Sequence, residues 1–199
     1  VMLSLSAMLL VGLFALAGWV FDRRRVADLW LAFFCVAVAA LALAESWRHL
    51  VDYSYDWHLL SLRLVTAVSW VTAVALCGYI GRRFGRRRAV RELVAVAAVT
   101  ALAALVVPIW DVKSALVFLL ALPVAAAWCL RAARDGRPGA PWAAFGTLVC
   151  LAVLLWRPAD FIDGNLYLAV DLLLLGLLVG HARETAAVRP ANPISPHVA

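Results

Sequence analysis

Side chains able to carry proton, ion or metal chemistry crowd the stretch "AESWRHLVDYSYDWHLLSLR", among them Glu45, Arg48, His49, Asp52, Asp56 and His58. Glu45, His49 and Asp52 recur at i, i+4 and i+7, a spacing that lines them on one face of a helix, with Arg48 beside the two acids. Three kinds of chemistry suit such a set. The first is an ion-pair and aromatic belt at a membrane surface, with polar tips reaching water and Trp47, Tyr53, Tyr55 and Trp57 between them. The second is a polar pocket that recognises a ligand or a neighbouring domain. The third is a metal site built from Glu45, His49 and His58. Zinc needs a fuller ligand set and a supporting shell, so neither a metal nor another cofactor is expected.

Further along, Arg63, Arg157 and Asp171 stand close to, or inside, long apolar runs. An ionisable group inside a span is expensive and faces the bundle with a partner. Asp171 lies about 7 Å in from the start of the last apolar run, counted from Leu166 at the helical rise. Arg63 and Arg157 are its candidate partners. Gly176 and Gly180 form a GxxxG pair that permits close helix approach, inside the bundle or in a homodimer.

The elements that position these groups follow from composition. Of 199 residues, 66% are hydrophobic, and only 15% are charged. Soluble chains run about 45–50% apolar. The mean hydropathy is +0.93. The charges fall between apolar runs, as an integral membrane protein requires. Seven spans are predicted at 2–21, 27–50, 60–81, 93–110, 115–131, 142–156 and 166–182, the fifth interrupted by Pro123. No internal repeat is visible. The expected fold is therefore an all-α integral membrane protein, a seven-transmembrane bundle over residues 1–182 with a short proline-containing tail over 183–199.

Orientation follows from the arginines. One set of connections, "DRRR", "GRRFGRRRAVRE", "RAARDGRPG" and the tail, carries fourteen basic residues; the other set carries four, Arg48, Arg63, Lys113 and Arg157. Basic loops stay cytoplasmic, which places the N-terminus outside and the C-terminus inside. The net charge of +6 then belongs to membrane topology, and nucleic acid is not an expected partner. Trp19, Trp30, Trp128 and Trp142 fall near inner ends and Trp47, Trp57, Trp110 and Trp156 near outer ends, with Trp70 deeper in the core. The first run lacks a positive leader and has "DRRR" after it, which suits an uncleaved anchor.

Several activities are disfavoured. Cys35, Cys77, Cys129 and Cys150 are scattered through apolar runs, so a disulfide framework or zinc finger is not expected. No P-loop or GxSxG is present, and no lysine is expected inside a span to carry a Schiff base.

The stretches "LLVGLFALAGWVFDRRRVADLWLAFFCV", "SLRLVTAVSWVTAVALCGYIGRRFGRRRAVREL" and "FIDGNLYLAVDLLLLGLLVGHARE" resemble the membrane domain of the bacterial seven-transmembrane receptors with diverse intracellular signalling modules. The resemblance covers roughly residues 9–184 and rests on hydropathy and turn placement. It implies a bacterial inner-membrane sensor; enzymatic activity of the chain itself is not expected, because the sequence departs from the family's plan after the bundle. In that plan an extracytoplasmic domain precedes the bundle and a kinase, cyclase or phosphatase follows it. Here "TAAVRPANPISPHVA" follows Glu184, and its three prolines do not continue a signalling coiled coil. Output is then expected through a partner in trans or a domain missing from the sequence. An accessory subunit of a larger membrane complex is the competing expectation.

Overall fold

The computed structural model describes residues 2–50, 55–84, 89–156 and 170–180. All the secondary structure among them is helical: α1 (Met2–Phe21), α2 (Val26–Leu50), α3 (Tyr55–Phe84), α4 (Ala89–Val106), α5 (Trp110–Arg134), α6 (Ala140–Trp156) and α7 (Val170–Gly180). Four stretches, Val26–Ala44, Trp57–Phe84, Ala89–Val106 and Val112–Arg134, are long and apolar enough to cross a membrane. Leu5–Phe21, Ala140–Trp156 and Val170–Gly180 are apolar but shorter. With no water in a bilayer core, intrahelical hydrogen bonds are how such apolar segments satisfy their backbone. The protein is membrane-embedded and all-α.

Helix α3 is the hub. It packs against α2, α4 and α5, while α1 packs on α2 and α6 on α5. The core is made of small and branched side chains with a few large ones, among them Phe34, Leu41, Tyr79, Ile80 and Leu154. Outward faces carry Phe14, Leu105, Leu155 and similar residues, which suits contact with lipid tails. Buried hydroxyls are satisfied locally: Thr72 donates to the Val68 carbonyl at 2.8 Å, Thr100 to Val96 at 2.7 Å and Thr147 to Ala143 at 2.9 Å. Among the described residues only Ser69 has a buried hydroxyl with no hydrogen-bond partner.

Several boundaries differ from the hydropathy reading, each for a physical reason. Helix α3 runs beyond 60–81 at both ends, because a helix continues into the headgroup region once its polar residues can reach water. Helix α4 ends at Val106 rather than 110, two residues before Pro108, which lacks an N–H and disfavours helical backbone at the residue before it. Helix α5 begins at Trp110 and continues through Pro123 to Arg134. This places Lys113, expected in a connection, in the first turn of α5 and inside an apolar span. A lysine is therefore present in a span, at its end. Its stem is buried and its ammonium sits 3.9 Å from the centroid of the Trp110 ring, where the ring face substitutes for part of the lost hydration.

Candidate functional site

The arginine-rich end of the bundle is built from short turns with defined chemistry. Between α1 and α2, Asp22 organises the connection. Its carboxylate accepts from the Arg24 backbone N–H at 3.1 Å and from Arg25 Nε at 3.3 Å, and its carbonyl accepts from the Arg25 N–H. Such a self-bonded aspartate lets "FDRRRV" reverse direction in a few residues. Arg23 folds back over Trp19, 3.9 Å from the ring centroid.

The turn between α5 and α6, "RDGRPG", is tighter still. The Arg137 N–H bonds the Ala132 carbonyl and the Gly136 N–H bonds the Ala133 carbonyl, with Gly136 left-handed at φ 71°. This pair of bonds is a glycine C-cap that satisfies carbonyls otherwise orphaned at a helix end. Gly139, at φ 78°, then opens α6, its carbonyl accepting the first helical bond from Ala143. From the same turn Arg137 Nη1 reaches across to the Phe84 carbonyl at 3.2 Å, capping the negative end of α3.

Long-range contacts lock the helices here. Gly78 lies against the Trp30 ring, and a side-chain carbon at Gly78 would overlap it. Trp128 lies over Gly81, and its indole N–H donates to Glu92 Oε2 at 2.6 Å, tying α5 to the first turn of α4. Deeper in the bundle the Trp70 indole N–H donates to the Ala97 carbonyl at 3.1 Å, a second tie from α3 to α4. Arg83 Nη1 donates to the buried Tyr79 hydroxyl at 3.0 Å. Sequence reading had these tryptophans as belt or packing residues and missed their partners, which lie 27 to 48 residues away along the chain and have no local signature.

Gly176 and Gly180 face α6. A Cβ on Gly176 would lie 2.7 Å from the Trp142 carbonyl oxygen, and one on Gly180 would lie 2.8 Å from Gly139 Cα. Gly146 completes the seam against Leu173, with a Cβ there 2.8 Å from the Leu173 Cα. The GxxxG pair is therefore occupied within the chain by α6 and its entry turn.

At the opposite end, the groups singled out for chemistry are less fully placed. The backbone of Glu45, Arg48 and His49 belongs to the last turns of α2, but their side chains, all of Asp52 and all of Arg157 lie outside the described residues. His58 and Arg63 are exposed on the first turns of α3. Asp171 is half-buried at the start of the described part of α7. Among the described residues no group of three His, Cys, Asp or Glu side chains is placed to hold a metal ion. The four cysteines are buried thiols.

No family model, curated protein or solved structure matches the chain.

Proposed function

We propose that the protein is a signalling bundle of a bacterial inner membrane, in which seven spans couple an outer-face event to the cytoplasmic end of α7. The surface from Glu45 to His58, with Arg63 and Arg157, receives the event, and Asp171 links it to α7. Output passes to a partner in trans or to a domain beyond this sequence. The observation that carries this reading is the backbone contact between Gly180 and Gly139. Nine residues, about 14 Å at the helical rise, separate Asp171 from Gly180. A polar group at the start of the described part of α7, followed by close contacts with α6 and its entry turn through Leu173, Gly176 and Gly180, lets a displacement at Asp171 travel along α7 to that turn. A shift of about 1–2 Å is the usual scale for such helix movements. The locally satisfied hydroxyls of Thr72, Thr100 and Thr147 leave little to line a polar transport path, which weighs against a carrier.

A second reading, an accessory subunit of a larger complex, is favoured by α4. Only Ala89 and Thr100 of that helix are buried. Its Val94, Leu102, Leu105 and Val106 face outward, towards lipid or a partner helix. Hydrogen exchange along α7 separates the two. A coupling bundle carrying Asp171→Asn shows changed protection at the Gly180 end and in the 135–140 turn. An accessory subunit shows changes confined to the turn that holds Asp171.

A further inference from the structure

A cavity of about 310 Å³ opens between α1, α2, α3 and α7 at the arginine-rich end, a volume at the lower edge of small-molecule sites. Its lining is graded. Val11, Phe14 and Ala15 of α1 with Leu177 and Leu178 of α7 form the apolar part, whereas Gly18, Arg25 and Asp28 sit where the α1–α2 turn begins. Val11 and Gly18 are seven residues apart on one helix, so the cavity extends about 10 Å from the turn towards the middle of the bundle. A polar mouth at the turn and an apolar interior match an amphiphile whose head stays at the surface.

The polar groups define the head. Arg25 Nε is already engaged by Asp22, and the Tyr79 hydroxyl accepts from Arg83. The Asp28 carboxylate accepts no hydrogen bond from a described residue. Gly18 leaves it open: a Cβ there would lie 3.2 Å from Asp28 Oδ2. Asp28 is an open carboxylate in the lining, while the Arg25 guanidinium is already paired with Asp22, so the mouth offers a donor cation a place at Asp28. The remaining guanidinium N–H groups of Arg25 suit a phosphate oxygen.

We propose that this cavity binds a phospholipid with a primary-ammonium headgroup. The ammonium bonds to Asp28, the phosphate lies beside Arg25, and one acyl chain runs between α1 and α7. The site is independent of the signalling reading and would exist equally in an accessory subunit.

Native mass spectrometry of the delipidated full chain, titrated with phosphatidylethanolamine, phosphatidylcholine and phosphatidylglycerol of the same acyl chains, tests it. The trimethylated headgroup of phosphatidylcholine cannot donate a hydrogen bond to Asp28, so the ethanolamine lipid should bind about tenfold more tightly, the effect of one charge-assisted bond. Asp28→Asn should bring the two to near equality while the protein keeps its thermal transition. Ala15→Phe should weaken binding of all three lipids by filling the apolar part. Equal binding of ethanolamine and choline lipids by the wild type would reduce the cavity to unselective annular contact and overturn the proposal. So would a preference that survives Asp28→Asn, or tighter binding of phosphatidylglycerol.

Discussion

Gly139 and Gly180 meet backbone to backbone, so that a single Cβ on Gly180 would stand 2.8 Å from the Gly139 Cα. This contact joins the last described residue of α7 to the turn that opens α6, and three consequences of that turn can be separated by substitution. Gly136 is left-handed with open space around it; Gly139 is left-handed and also pressed against Gly180. Gly136→Ala should cost about 1–2 kcal/mol, the strain of a left-handed alanine. Gly139→Ala should cost that strain plus about 1–3 kcal/mol of overpacking, and Gly180→Ala the overpacking alone. Reversible denaturation in mixed micelles measures all three. Equal losses for Gly136→Ala and Gly139→Ala would mean that the two glycines do not touch as described.

The Gly78–Trp30 contact predicts strong non-additivity. Gly78→Ala forces the Trp30 ring aside, and Trp30→Ala opens a void at the same place. Combined, the new methyl occupies part of that void. The double mutant should be more stable than the sum of the single losses, with a coupling of about 0.5–3 kcal/mol, the range for residues in contact. A thermodynamic cycle by micelle denaturation measures it.

Helix α4 is held by two indole donors. Trp128→Phe removes the bond to Glu92 and should cost about 1.5–3 kcal/mol because the acceptor is charged; Trp70→Phe removes the bond to the Ala97 carbonyl and should cost about 0.5–1.5 kcal/mol. Glu92→Gln should lower the penalty of Trp128→Phe, since the bond then lost is a neutral one rather than a charge-assisted one. Both tryptophan variants should raise hydrogen exchange in α4 more than in α5, an effect that localises the loss to the peripheral helix.

The proposed orientation predicts which surfaces an impermeant thiol reagent reaches in intact cells. The native cysteines are buried, so new cysteines report alone. Trp57→Cys, at the exposed start of α3, should label from outside. Arg82→Cys, at its arginine-rich end, should label only after permeabilisation. The reverse pattern would invert the bundle.

Most of the helices were legible because apolar runs and basic connections leave a direct trace in composition. The end of α1 at Phe21 coincides with the hydropathy reading for that reason, and α2 and α6 are helical up to Leu50 and Trp156, the last described residues of those stretches. The start of α5 did not, because Lys113 reads as a loop residue until its stem is seen buried and its ammonium is seen over Trp110. Gly176 and Gly180 were legible as a close-packing pair, but their partners, Gly139 and the Trp142 carbonyl, were not. A turn glycine with positive φ looks in sequence like any other loop glycine. The pairing of Trp128 with Glu92 was invisible because nothing local links residues 36 positions apart. The polar cluster from Glu45 to His58 was the most conspicuous feature in sequence, yet chemical conspicuousness does not determine geometry, and most of it falls outside the described residues.

The central claim is that the Asp171 end of α7 and its Gly180 end move together. Nitroxides on cysteines at the exposed positions Leu178 of α7 and Val94 of α4 report that movement as a distance, read by pulsed electron–electron double resonance in lipid nanodiscs. The account predicts that Asp171→Asn shifts the mean distance by about 1–2 Å, or splits it into two populations that far apart, with little loss of stability. Superimposable distance distributions for the wild type and Asp171→Asn would contradict it.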